Sequence, residues 1–212
     1  AKKVEIYTGG DEPEKIWYVG SATPNHTGTY MLLETPSEGK AEEPFIVHME
    51  GFTGFLTTRF FTNEDEWKYT GIFSYPNRTL QSISFIDHKE EHKSYTLISD
   101  TSGVLDLHIY TGKEIGYSDT LKVQEQFLRF KKVHFESFNS RLTIEQEDSL
   151  KLTNPDFSIT CTDIEGVATS VFLYEKDEEQ FYGVTEDGQV VLVQTFVFNP
   201  LIVGVHELLQ VN

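Results

Sequence analysis

Between Trp67 and Tyr110 apolar and polar side chains alternate in short runs, each closed by a turn. Successive side chains of a strand point to opposite faces, so a period of two marks a half-buried strand and does not fit a helix. In Trp67–Tyr75, Trp67, Tyr69, Phe73 and Tyr75 share a face with Gly71, while Lys68, Thr70 and Ser74 point the other way. Leu80–Ile86 sets Ile83 and Phe85 against Ser82 and Ser84, and Val104–Tyr110 sets Leu105, Leu107 and Ile109 against Asp106 and His108. With Phe45–Glu50, Phe55–Thr62 and Ser94–Ser99, these runs read as an antiparallel meander, hence a barrel or a two-sheet sandwich.

Outside this stretch the signals change. The first fifteen residues are polar and broken by Gly9-Gly10 and Pro13, and read as loose chain ahead of the apolar run Ile16–Val19. Residues 34–44 read as a flexible loop. After Gly116, Val123, Phe127, Phe130 and Phe135 recur at helical spacing behind Ser118 or Asp119 as cap, which predicts one helix over about 119–135 packed outside the sheet. Residues 140–156 are polar and mixed. Strands return at Phe157–Thr162, Val167–Tyr174, Gln180–Val184 and Gln189–Phe198, with Thr185-Glu186-Asp187-Gly188 as a hairpin turn. The expected organisation is a barrel with its helix over residues 1–150 and a β-rich extension, 151–212, packed on the same domain.

The chain carries 17 Lys and Arg against 34 Asp and Glu, a net charge of −17. Such a field repels nucleic acid and favours cationic partners. No apolar run is long enough to span a membrane as a helix. One cysteine, Cys161, forbids a disulfide within the chain and is either buried and inert or joined to another chain. The sequons Asn25-His26-Thr27 and Asn77-Arg78-Thr79 sit in turn-like surroundings that suit glycosylation, which favours a secreted protein.

Catalytic chemistry finds little support. His88-Lys89-Glu90-Glu91-His92 matches an inverted zinc-peptidase pattern, but that chemistry needs both histidines one turn apart on a helix. Here the segment joins two alternating runs, so it reads as a solvated turn. The acidic turns Asn63–Glu66 and Asp177–Glu179 lack the spacing of a calcium loop. There is no nucleophile elbow and no glycine-rich phosphate loop. The reading is of a protein that binds rather than catalyses, with no cofactor and no metal.

Two stretches carry a family resemblance. Lys15-Ile16-Trp17-Tyr18-Val19-Gly20-Ser21-Ala22 resembles the opening strand of the lipocalins, where a tryptophan closes the barrel floor. His92–Tyr110, followed by Thr111-Gly112-Lys113 and Asp119–Lys132, resembles their last two barrel strands and helix, nearest to the α1-acid glycoprotein and apolipoprotein M branch. Lys15 stands where that family has glycine. The resemblance covers residues 14–150 and implies a barrel floored by Trp17, with Lys113 against its indole in a cation–π contact. It also implies a secreted carrier of a small apolar or cationic ligand. Trp67, Tyr69, Phe73, Tyr75 and Phe85 are the candidate lining of such a cavity, the alternative being that most of them fill a core. Asp106 and His108 orient the ligand if they point inward and are ordinary surface if outward. The competing reading is an extracellular protein-binding module, an immune modulator or an assembly subunit, that meets a basic partner through an acidic surface.

Overall fold

The computed structural model of the protein describes residues 1–76, 79–109, 117–139 and 141–210, in two compact units, Ala1–Lys68 and Tyr69–Asn212. The first unit is an antiparallel sheet of β1 (Lys2–Ile6), β2 (Lys15–Ala22), β3 (Thr29–Thr35) and β4 (Gly39–Lys40) in that order, with β5 (Phe45–Val47) also paired to β3. Three of these strands, β1, β3 and the two-residue β4 inside the expected 34–44 loop, fall where the sequence suggested none. β1 lies in the expected loose segment, yet Val4 pairs with Trp17 and Lys2 with Val19. Its alternating charges, Lys3 and Glu5, suit an edge strand, which needs a partner before its pattern means anything. β3 becomes a strand by pairing on both sides, to β2 and to β4 and β5.

The expected strand Phe55–Thr62 is a turn. Phe55-Leu56 and Phe60-Phe61 set apolar side chains next to one another, which no strand can send to a single face. Its backbone instead takes a short 3-10 turn at Thr57–Arg59. The Leu56 amide donates to Thr29 Oγ1 at 2.6 Å, and Thr57 Oγ1 donates to the Gly20 carbonyl at 3.0 Å. Val19 and Met31, cross-strand partners, are buried together on one face of the sheet.

The second unit is built on an eight-stranded sheet whose neighbours are all antiparallel. β7 (Leu80–Asp87), β8 (Tyr95–Ser99) and β9 (Leu105–Ile109) form one meander. β12 (Phe157–Asp163), β13 (Ala168–Glu175), β14 (Gln180–Thr185) and β15 (Val190–Gln194) form another, extended by the short β11 (Ser137–Phe138). The two meanders join where β12 pairs with β7, Ile159 opposite Phe85. The strands β12–β15 of the expected C-terminal extension thus continue the central sheet. The order runs from β11 at one edge to β9 at the other, and the described residues form no closed barrel.

One face of this sheet is the core. Ile83, Phe85, Leu97, Leu107, Ile159 and Leu173 are among its fully buried side chains. They are covered by α1 (Thr120–Arg129), by a ribbon of β6 (Gly71–Ser74) and β10 (Lys132–His134), and by the C-terminal segment with α3 (Thr195–Phe198) and a 3-10 turn at Val205–Leu208. Asp119 caps α1 as its side chain accepts from the amides of Leu121 and Lys122. The helix stops earlier than its apolar spacing suggested, because the chain turns at Phe130 to pair Val133 with Phe73 in β10. Likewise the run Trp67–Tyr75 is a strand only from Gly71, and Gln189–Phe198 becomes helical after Gln194.

The opposite face carries a smaller apolar cluster, Tyr174, Val184 and Val190, with Leu142 and Leu150 packed against it. Leu150 belongs to α2 (Ile144–Lys151), which the polar composition of 140–156 hid. Its capping box is complete, Thr143 accepting from the Gln146 amide and Gln146 reaching back to the Thr143 amide. Among the described residues no helix is long and apolar enough to cross a membrane.

Candidate functional site: an aromatic and acidic strip

The side chains expected to line a cavity occupy separate places. Phe73, Tyr75 and Phe85 are core. Phe73 stacks with Tyr75 at 6.5 Å between ring centroids and leans on Phe130 at 5.8 Å, while Phe85 meets Tyr95 at 5.5 Å and Phe157 at 6.0 Å. The Tyr75 hydroxyl, driven upward in pKa mainly by burial, donates to the Cys161 carbonyl at 3.3 Å. These rings fill space against one another. Asp106 and His108 lie on the other face of the sheet. Phe85 pairs with Tyr95 and Tyr95 with Ile109, whereas His108 pairs with Thr96 and Asp106 with Ile98. They share their face with the hydroxyl row Ser170, Thr160, Ser84 and Thr96.

Tyr69 is exposed in the second unit, its ring edge-on to His134 at 5.5 Å and folded over Gly71, where a Cβ would meet the phenol at 2.2 Å. Trp17 lies on β2, on the face it shares with Val19, and its indole Nε1 is buried without a hydrogen-bond partner among the described residues. Lys113 and Asn77 fall outside the described residues, so the implied Trp17–Lys113 contact and the second sequon have no structural account. Asn25 is exposed in the turn that closes β2 onto β3, and its Oδ1 accepts from Thr23 Oγ1 at 2.7 Å.

The zinc-like histidines part company. His88 pairs through Nε2 with Ser158 Oγ at 2.7 Å, while His92 is exposed in a short 3-10 turn, Glu91–Lys93. Cys161 is fully buried in the core, and burial pushes its thiol well above the ordinary range.

Among the aromatic side chains left exposed, Phe61 and Trp67 belong to one strip, residues 61–68, in the first unit. The Asn63 side chain caps a 3-10 turn, Glu64–Trp67, by accepting from the Asp65 amide at 3.2 Å. That turn sets Glu64, Asp65 and Glu66 beside one another and presents Trp67, 59% exposed. The indole is held in place. Its Nε1 donates to the Phe61 carbonyl at 3.1 Å, and the ring meets the exposed Phe61 edge-on at 5.8 Å. Lys68 reaches Asp65 at 2.8 Å and Glu64 at 3.8 Å, and the hydrogen bond to Asp65 holds its ammonium above the ordinary lysine value.

Three carboxylates against one ammonium leave the strip net negative, next to an indole face whose quadrupole also attracts cations. A pre-held aromatic loses little freedom on binding, which is the usual property of an anchor in an interface. The sequence did mark both the acidic turn and Trp67. It could not show that the tryptophan belongs to the turn rather than to the strand that follows. No protein family, curated protein or solved structure matches the chain.

Proposed function

We propose that the protein is an acidic recognition module that takes a basic polypeptide segment on the Phe61–Lys68 strip. The observation that supports this reading is the exposed, hydrogen-bonded Trp67 beside Glu64, Asp65 and Glu66. A lysine or arginine of the partner would lie over the indole and meet the carboxylates, and the surplus of acids over the whole chain would speed its approach. An extracellular setting belongs to the same proposal, supported by the exposed sequon at Asn25. Carriage of a small guest is the weaker reading, because Phe73, Tyr75 and Phe85, the side chains proposed to line its hollow, are packed against other rings.

The test is calorimetric titration with a lysine- and arginine-rich nonapeptide. An exposed cation–π contact is worth about 0.5–1 kcal/mol and each exposed ion pair about 0.2–1 kcal/mol. Trp67→Ala should therefore weaken binding about two- to fivefold, and E64Q/D65N/E66Q should remove most of the salt dependence. Binding that is indifferent to all four substitutions would overturn the proposal, as would stoichiometric uptake of a neutral apolar dye with no response to the peptide.

A further inference from the structure

With twice as many carboxylates as cations, 34 against 17, a surface lysine in this chain ordinarily has an acid close by. Lys3, Lys89, Lys93 and Lys176 each lie within ion-pair distance of one. One groove gathers several cations without such partners. Between the C-terminal end of α1 and the β6–β10 ribbon, a groove of about 440 Å³ is lined by Ser74, Pro76, Leu128, Arg129, Lys131 and Lys132. Among the described residues its wall holds three cations and no carboxylate. Among the described residues neither Lys131 nor Lys132 has an acid in ion-pair range.

The cations stand on a fixed frame. Arg129 is tethered through Nη1 to Gln126 Oε1 at 2.9 Å and to the Pro200 carbonyl at 3.0 Å. The Lys131 carbonyl accepts from the Tyr75 amide at 2.9 Å, and Lys132 pairs across the ribbon with Ser74. A cation at a helix C-terminus offsets the partial charge of the last carbonyls. That accounts for positive charge here, but not for Leu128, an apolar side chain left 66% exposed on the same wall.

We infer that this groove binds a phosphate monoester carrying a short apolar group. The phosphate meets Arg129, Lys131, Lys132 and the Ser74 hydroxyl, and the apolar part lies on Leu128 and Pro76. A phosphate monoester carries between one and two negative charges near neutral pH and offers three acceptor oxygens, which matches three cations better than a single carboxylate would. The groove volume falls within the range of about 300–1,000 Å³ typical of small-molecule sites.

The experiment is an amide chemical-shift titration of the whole chain with octyl phosphate below its micelle concentration. Inorganic phosphate, octyl glucoside and phosphatidylglycerol vesicles are run beside it. The expected result is saturable shifts around residues 74–76 and 128–132, an affinity about tenfold weaker in K131Q/K132Q, and weaker binding of octyl phosphate but not of inorganic phosphate in L128S. Trp67→Ala should leave the titration unchanged, which separates this site from the acidic strip. Equal binding of octyl glucoside, an affinity unmoved by K131Q/K132Q, inorganic phosphate binding as tightly as octyl phosphate, or binding to the vesicles alone would each overturn the inference.

Discussion

Replacing Gln126 with leucine should cost the second unit about 1–5 kcal/mol, although the two side chains are close in size. Gln126 is fully buried on α1, in the middle of the core. Its Nε2 donates to the Tyr95 hydroxyl and to the Leu201 carbonyl, both at 3.0 Å, and its Oε1 accepts from Arg129 Nη1 at 2.9 Å. One amide therefore ties the helix to β8 and to the C-terminal segment. Leucine fills the space but leaves the Tyr95 oxygen and the Leu201 carbonyl without this donor, in a region water does not reach. Each orphaned buried group costs about 1–3 kcal/mol. Arg129 is exposed and keeps its bond to Pro200, so its loss is small. The added apolar burial of leucine offsets about 1 kcal/mol.

Tyr95→Phe isolates part of this. It removes the phenol oxygen while Gln126 keeps Leu201, and should cost about 1 kcal/mol. In the double variant Y95F/Q126L the phenol oxygen is no longer present to be orphaned. The combined loss should therefore fall short of the sum of the single losses by about 1 kcal/mol. Urea denaturation followed by far-UV circular dichroism measures all three. Trp17 and Trp67 both lie in the first unit, so indole fluorescence would report on the wrong one. A Q126L protein within about 0.5 kcal/mol of the parent, or strict additivity in the cycle, would refute the account of a buried tie.

Burial holds the Cys161 thiol above its ordinary value of 9.0 and the Tyr95 phenol above 10.0. The folded state keeps both protons where the unfolded chain releases them, so the contribution is whole below about pH 9 and is lost as pH rises further. The urea midpoint should fall between pH 9 and 11, less so in Y95F, and Cys161 should resist a thiol reagent until the protein unfolds; a flat midpoint with immediate labelling would contradict this. Thr143→Ala removes the hydroxyl half of the α2 capping box and should cost about 1 kcal/mol, read as faster amide exchange over residues 144–151. At Gly183 a Cβ would meet Val191 Cγ2 at 3.1 Å and Val193 Cγ1 at 3.3 Å. Gly183→Ala should therefore destabilise by about 1–3 kcal/mol through overpacking, and a midpoint equal to the parent's would show that the two valines can give way.

Much of the second unit was legible because its signals are local. Leu80–Ile86, Phe157–Thr162 and Gln180–Val184 differ from the observed strands by a residue or so at their ends, and Val104–Tyr110 contains the strand Leu105–Ile109, its last residue lying outside the described ones. Asp119 and the Thr185–Gly188 turn work as their side chains suggest, Gly188 standing at φ +81°. The α2 helix was legible in principle, since Thr143 and Gln146 spell a capping box, but its exposed Ile144 and buried-side Leu150 give almost no apolar stripe. β1 and β3 were hidden for a different reason. Whether Lys2–Ile6 is a strand depends on Lys15–Ala22 lying beside it, and no property of five residues contains that. The pairing of β12 with β7 likewise joins segments far apart in sequence.

The same distinction explains why the aromatic residues left two readings open. Rings that line a hollow and rings that fill a core share one composition and one period. What separates them is the partner each ring meets, and for Phe73 and Phe85 those partners are Phe130 and Phe157, from distant parts of the chain. Register then decides the rest. Phe85, Tyr95 and Ile109 form one cross-strand row, and Ser84, Thr96 and His108 form the next, on the opposite face. Curling or closing this sheet would change its radius but not which face a side chain is on. With this register, no pocket inside the sheet could use Phe85 as a wall and His108 as a polar handle. A shift of one residue between β8 and β9 would be needed, and it would carry Leu107 out of the core as it brought His108 in.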